Sequence, residues 1–209
     1  MQIKVWDLPT RLFHWSLALS FGAAYLSSRS DQWLIWHMGL GYLMFALVMF
    51  RVYWGMVGSR WARFSSFKPS ILAAYRYAKH ALSKEELAHP VGHNPLGAWA
   101  IYTLLILVMV IVGSGFAYWQ YDILLGETIH VWASNLSLVV VFLHLCGVVV
   151  SSIKQRENLI TAMITGNKQG EAHHAISYTH AVWAFFLILI ILTFLWVIAY
   201  KPSYLGLVV

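Results

Sequence analysis

Five stretches of the chain stay apolar for long enough to cross a bilayer: residues 11–28, 33–57, 96–118, 128–153 and 178–199. Each comes close to the ~20 residues that a helix needs to span a hydrocarbon layer about 30 Å thick. The first is short and the fifth is the most uniformly apolar. Between the second and third lies the one sizeable polar connection. Within it the run PSILAAYRYAKHALSKEEL, residues 69–87, interleaves Ile71, Leu72, Tyr75 and Leu82 with Arg76 and Lys79. A proline suited to a first turn, with apolar residues at helical spacing, predicts a short helix on the membrane surface; a solvated basic loop is the alternative. No repeat, low-complexity tract or domain boundary interrupts the pattern. The expectation is an all-α integral membrane helical bundle in one domain, 1–209, with four helices in a core at 5–153 and a fifth transmembrane helix at 178–199.

Composition supports a membrane protein. The 209 residues are 60% hydrophobic and 11% charged, with a mean hydropathy of +0.66, against about 25% charged in soluble chains. The 11 Trp suit interfacial belts and flat apolar cofactors equally well. A single Cys rules out an internal disulfide, and without a Cys-x-x-Cys-His there is no c-type haem attachment. The opening MQIKVWDLPTRLFHW lacks the three regions of a cleavable signal, so the first apolar stretch is expected to remain as a helix. Lys4 and Arg11, then Arg60, Arg63, Lys68, Arg76, Lys79 and Lys84, then Lys154, Arg156 and Lys168 mark three basic segments, which the positive-inside rule places in the cytoplasm. The connections SSRSDQ and WQYDILLGE, and the tail KPSYLGLVV, are then periplasmic. Nucleic acid is not expected as a partner.

Histidines carry the chemistry. His130 and His144 lie in ETIHVWASNLSLVVVFLHLCGVVVSS, 14 positions apart, which on a helix means roughly 21 Å along the axis and about 40° around it. Both face the same neighbours, one near each surface of the bilayer. His14 starts span I at the inner side and His37 starts span II at the outer side, so the depths pair His14 with His144 and His37 with His130. A histidine in lipid is costly unless it is used, and two bis-histidine haem sites, one per leaflet, use all four. The alternative is four isolated histidines bonded to backbone carbonyls. Zinc fits less well, because it wants four close ligands. Gly41, Gly147 and Gly22 share the histidines' sides of their helices and leave room for a macrocycle, or else mark close helix contacts. Arg51, 14 positions after His37, and Arg11, one turn before His14, can reach haem propionates; ordinary positive-inside flanking is the other reading. Cys146 reads as buried filler. His80, His89, His93, His173, His174 and His180 read mostly as surface groups titrating near neutrality, with His173 and His174 a weak metal candidate.

The segments VWDLPTRLFHW, WHMGLGY and GHNPLGAW, together with His-x13-His, resemble the bacterial cytochrome b561 family of dihaem membrane cytochromes across residues 5–153. That family is similar to the b-type cytochrome subunits of nickel-iron hydrogenases and, more distantly, of formate dehydrogenases. The resemblance implies that His14, His37, His130 and His144 ligate two b haems in a four-helix dihaem core, and that electrons pass between the quinone pool and a redox partner. A Gly-x-Asn at the start of span III binds quinone in related subunits, which points to Asn94, though here Pro-Leu-Gly follows it. Asn94 before Pro95 is equally suited to cap that helix. His93 could exchange the accompanying proton. The expected function is an electron-transfer subunit of a quinone-linked oxidoreductase in the bacterial inner membrane, serving a periplasmic c-type cytochrome or hydrogenase-like subunit, with a homodimer left open. A stand-alone superoxide:quinone oxidoreductase is the alternative. An ion-coupled transporter is disfavoured, since none of Asp7, Asp31, Asp122 or Glu127 lies deep in a span.

Overall fold

A computed structural model of the chain describes residues 1–83 and 90–207. Lys84, His89 and the end of the 69–87 segment lie outside the described residues, as does the side chain of Leu82. The first long helix, α1 (Leu8–Ser27), starts where the sequence supplies an acceptor: the Asp7 carboxylate takes the Thr10 N–H at 2.7 Å, and Pro9 sits in the first turn. α2 (Leu34–Val57) follows after one 3-10 turn. The basic connection contains α3 (Ile71–Leu82), capped by the Ser70 hydroxyl. α4 (Pro95–Tyr121) and α5 (Leu124–Gln155) form a hairpin that is longer than expected. Asp122 takes a left-handed conformation (φ 51°), so two residues suffice to turn the chain. A Cβ at Gly126 would meet the Ser114 carbonyl oxygen at 2.7 Å, and glycine there lets the two helices close up. Most of the acidic connection WQYDILLGE is therefore helix. α6 (Leu159–Thr165) is a short helix capped by Asn158, and α7 (Ala181–Tyr200) is the last.

Among the described residues four helices are long and apolar enough to cross a membrane: α2 with its preceding turn, α4, α5 and α7. The protein is a multi-pass membrane protein. α1 has the length, 20 residues, but not the apolarity by the same measure, because Arg11, His14, Ser16 and Ser20 interrupt it. It lies along α2. α2 is the packed centre, touching α1, α4 and α7, and its Leu40, Leu43, Met44, Leu47 and Val48 meet Phe13, Leu105, Val108 and Leu187. α5 leans on α4 and has little direct contact with α1 or α2, so a gap separates the helices bearing His14 and His37 from the one bearing His130 and His144.

At the end of the bundle that carries the N-terminus, the end the sequence expectation places inside, the chain builds a cap that hydrophobic periodicity does not announce. β1 (Gln2–Lys4) pairs antiparallel with β2 (Asn167–Gln169), Ile3 opposite Lys168. The Gly166 carbonyl then accepts from the Val5 and Trp6 N–H groups at 2.8 and 3.0 Å. Gly166 has φ +86°, and a Cβ there would lie 2.6 Å from the Trp6 carbonyl oxygen, so only glycine is unstrained. The Trp15 indole donates to Met163 O at 3.3 Å, and Arg11 donates to Ile164 O.

Candidate functional site

The structure brings His37 and His130 together, with ring centroids 5.8 Å apart and planes inclined by 72°. Each ring is held by a different helix. His37 Nδ1 is 2.8 Å from Ala24 O on α1, and His130 Nδ1 is 2.8 Å from Ile111 O on α4. A carbonyl only accepts, so Nδ1 carries the proton and Nε2 keeps its lone pair for a ligand. Two imidazole nitrogens each about 2 Å from a shared metal put the centroids roughly 6 Å apart. The outer pair fits that spacing. Gly115, on α4, makes it possible: a Cβ there would lie 2.8 Å from His130 Nδ1.

The inner pair, His14 on α1 and His144 on α5, lies within electrostatic reach of each other. His14 meets the edge of Trp15 at 5.0 Å, and its Nδ1 is buried without a hydrogen-bond partner. Gly22, Gly41 and Gly147 line open space, since a Cβ at any of them would meet nothing within 4 Å; the same holds for Gly113. These are not the glycines of tight helix contacts, such as Gly39 against Ile198. Room for a flat macrocycle and free imidazole nitrogens fit a bis-histidine haem at each level. Ser137 lies seven residues from both α5 histidines, on their face, fully buried with an unpartnered hydroxyl.

Below the inner pair is a chamber of charge and aromatic rings. Arg51 is 2% exposed, stacks on Phe64 at 4.7 Å and Phe67 at 5.8 Å, and has an unpartnered Nη1. Asp7, 1% exposed, faces it electrostatically and accepts from Thr10 N, Trp54 Nε1 and the Ser59 hydroxyl. Arg11 spends one N–H on α6, while its Nε is buried and unpartnered. Lys168 is buried with its ammonium on Pro90 O at 2.9 Å. Burial pulls its pKa down, and Glu157 opposes that.

His93 is not a surface group. It is enclosed between Trp6, 4.6 Å away, and Phe67, 4.3 Å away, with Nδ1 unpartnered. Burial pushes its pKa well below the usual histidine range, and Arg51, Lys168, His14 and His144 push the same way. Both effects favour the neutral ring, against the sequence expectation of a surface group titrating near neutrality. Asn94 does cap α4: its Oδ1 accepts the Gly97 N–H at 2.6 Å, and its Nδ2 donors remain. Cys146 is exposed on α5, not buried filler. His173 and His174 stack at 3.9 Å with Glu171 3.3 Å from His173 Nδ1; among the described residues no three His, Cys, Asp or Glu gather as a metal site. His180 precedes α7 in a left-handed conformation, with no side-chain capping bond and its ring edge-on to Trp54 at 5.2 Å. Sequence reasoning missed Gly115, Asp7, Lys168 and the Trp6–Phe67 sandwich. Only the apolar setting of Asp7, between Trp6 and Leu8, hinted that one of them was buried.

Residues 5–166 match the family model described as prokaryotic cytochrome b561. Among curated relatives, a protein of Bradyrhizobium diazoefficiens is 23% identical, covering 80% of this chain and 86% of the relative. One of Rhizobium leguminosarum bv. viciae is 25% identical, covering 79% and 88%, and one of Azotobacter vinelandii 26% identical, covering 78% and 87%. Each is named as a probable Ni/Fe-hydrogenase B-type cytochrome subunit. No solved structure matches.

Proposed function

Because the chain belongs to the prokaryotic cytochrome b561 family, we propose that it is a dihaem cytochrome carrying electrons across the bacterial inner membrane between a periplasmic redox partner and the quinone pool. Family membership makes it a membrane b-type cytochrome of electron transfer. The observation that carries the finer reading is the opposed His37–His130 pair with both Nδ1 protons tied to carbonyls. When bound, two haems supply one-electron relay stations at the two levels of α5.

The protein's own residues do the rest. His37 and His130 present Nε2 toward one site, and His14 and His144 face the other. Their levels differ by roughly 21 Å along α5. Arg51 offers a buried N–H to a propionate of the inner group, with Arg11 Nε a second donor. Its positive charge favours the reduced state there. The aromatic sandwich keeps water from that end. α1 crosses as a fifth span, because its length suffices and α2 covers one side of it. The basic inner segments put the N-terminus in the cytoplasm and the C-terminus in the periplasm.

The relatives' names favour a hydrogenase-like partner, docking where the outer pair lies nearest the surface. Quinone binds at the inner end, beside Asn94 and His93. Asn94, whose Oδ1 is spent on the cap, and the neutral His93 ring, whose Nδ1 is unpartnered, are polar groups there. The purified protein reduced with dithionite is expected to show two haem b per chain, with reoxidation by added quinone. A single haem, or none, sinks the dihaem reading, and failure of both ubiquinone and menaquinone to reoxidise it removes the quinone site.

A further inference from the structure

α3 has two faces, and only one of them is satisfied within the chain. Ala74 and Tyr77 are buried against α4 and α5. The Tyr77 hydroxyl lies 3.2 Å from Ser151 Oγ and accepts from Gln155 Nε2 at 3.2 Å, and Lys154 Nζ donates to Ser83 O. Ser151 and Gln155 belong to the last turns of α5, which fixes α3 at the depth where that span leaves the hydrocarbon. On the opposite arc Ile71, Leu72 and Tyr75 are 76%, 57% and 66% exposed. At ~100° per residue they share half the helix circumference with Arg76 and Lys79. Arg76, Lys79 and Lys68, just ahead of the helix, are all exposed. From Trp33 to Ser83 the sequence contains no Asp or Glu.

We propose that this face is a binding surface for anionic phospholipid of the inner leaflet, with Ile71, Leu72 and Tyr75 set among the acyl chains and Lys68, Arg76 and Lys79 on the phosphates. Large apolar side chains exposed at headgroup depth have lipid as their neighbour, and three cations with no acidic residue alongside them among the described residues select a negative headgroup. Tyr77 and the Lys154–Ser83 bond thereby tie the lipid-facing helix to the end of α5. None of this depends on the haem reading.

Native mass spectrometry of the full chain in mild detergent, titrated with phosphatidylglycerol or phosphatidylcholine, tests it. The wild-type protein is expected to prefer phosphatidylglycerol, and K68Q/R76Q/K79Q to bind it roughly a hundredfold more weakly, about fivefold per charge. Phosphatidylcholine binding stays the same in that variant. Should the triple variant prove unstable by circular dichroism, Arg76→Gln and Lys79→Gln singly provide the same test. Equal binding of the two lipids by the wild-type protein, or unchanged phosphatidylglycerol binding by the variants, overturns the proposal. So does dimerisation of the wild-type protein that the triple variant abolishes with lipid binding intact, which would make the face a contact between copies.

Discussion

The imidazoles of His37 and His130 face each other at 5.8 Å from two helices that hardly touch, each aimed by a carbonyl of a further helix, Ala24 O on α1 and Ile111 O on α4. Four helices therefore converge on one pair of rings. If each pair shares an iron, His37→Ala and His130→Ala remove the same outer haem and leave the inner one, while His14→Ala and His144→Ala do the reverse. Haem stoichiometry and low-temperature α-band spectra of the four variants check this. Loss of a common haem from His14→Ala and His37→Ala would overturn the pairing.

Gly115 gives a finer test of the outer pair. A Cβ there would lie 2.8 Å from His130 Nδ1, closer than real side chains approach. Gly115→Val is expected to push the ring off Ile111 O, forfeiting a hydrogen bond of roughly 1 kcal/mol and the ring's aim. The outer haem's occupancy should fall, or its ligand-field spectrum change, with the inner haem unaffected. Both haems normal in Gly115→Val would show that the carbonyl does not orient His130.

What could be read from the chain and what could not divide by sequence distance. The His130–His144 relation was legible because one helix fixes rise and angle, and His14 and His37 were placed by depth alone. The ends of α4 and α5 were not, since apolarity marks where hydrocarbon ends and not where Asp122 turns left-handed. β1 and β2 escaped notice because three-residue strands that pair across most of the chain leave no periodic trace. His93 looked like a loop histidine, and its enclosure depends on Trp6 and Phe67, which come from two other segments. The exposure of α5 follows from α2 taking the packed centre with Leu43, Leu47 and Val48.

Arg51 should set the inner haem's potential. A buried cation favours the reduced form, so Arg51→Gln lowers that potential. At roughly 10 Å and an effective dielectric of about 20 the effect is about 1–2 kcal/mol, some tens of millivolts. Redox titration of the inner α band, with haem content measured in parallel, reads it. An unchanged potential at normal haem content rules out a propionate or field role for Arg51.

The cap and the quinone contact of Asn94 can be separated by chemistry. Asn94→Asp keeps an oxygen for the Gly97 N–H, and a carboxylate suits a helix N-terminus, yet it removes the amide donors. Asn94→Leu removes both and costs about 1 kcal/mol of stability. If Nδ2 serves quinone, both variants keep their haems and both slow quinol-linked haem reduction, while only Asn94→Leu lowers the thermal midpoint. Normal quinol kinetics in Asn94→Asp leaves the residue as a cap and moves the quinone elsewhere.

His93 makes the inner cap sensitive to acid in a defined direction. Its folded pKa lies well below the model-peptide value of about 6.5, so an unfolded or opened cap binds a proton that the closed one refuses. Above about pH 6.5 neither form is protonated and His93 contributes no pH dependence. As pH falls from about 6.5 toward the folded pKa, the open form gains protons and the closed cap loses stability, at up to about 1.4 kcal/mol per pH unit. Hydrogen exchange at the Val5 and Trp6 amides, bonded to Gly166 O, should therefore accelerate between roughly pH 6.5 and 5 beyond its intrinsic pH trend. His93→Phe keeps an aromatic ring between Trp6 and Phe67 and should flatten that excess. The same neutrality means that His93 adds no ionisation near pH 7 to the quinol reaction. A pH profile of quinol-linked reduction that loses a near-neutral inflection in His93→Phe would show that the ring protonates in place and that the chamber is wetter than its packing indicates.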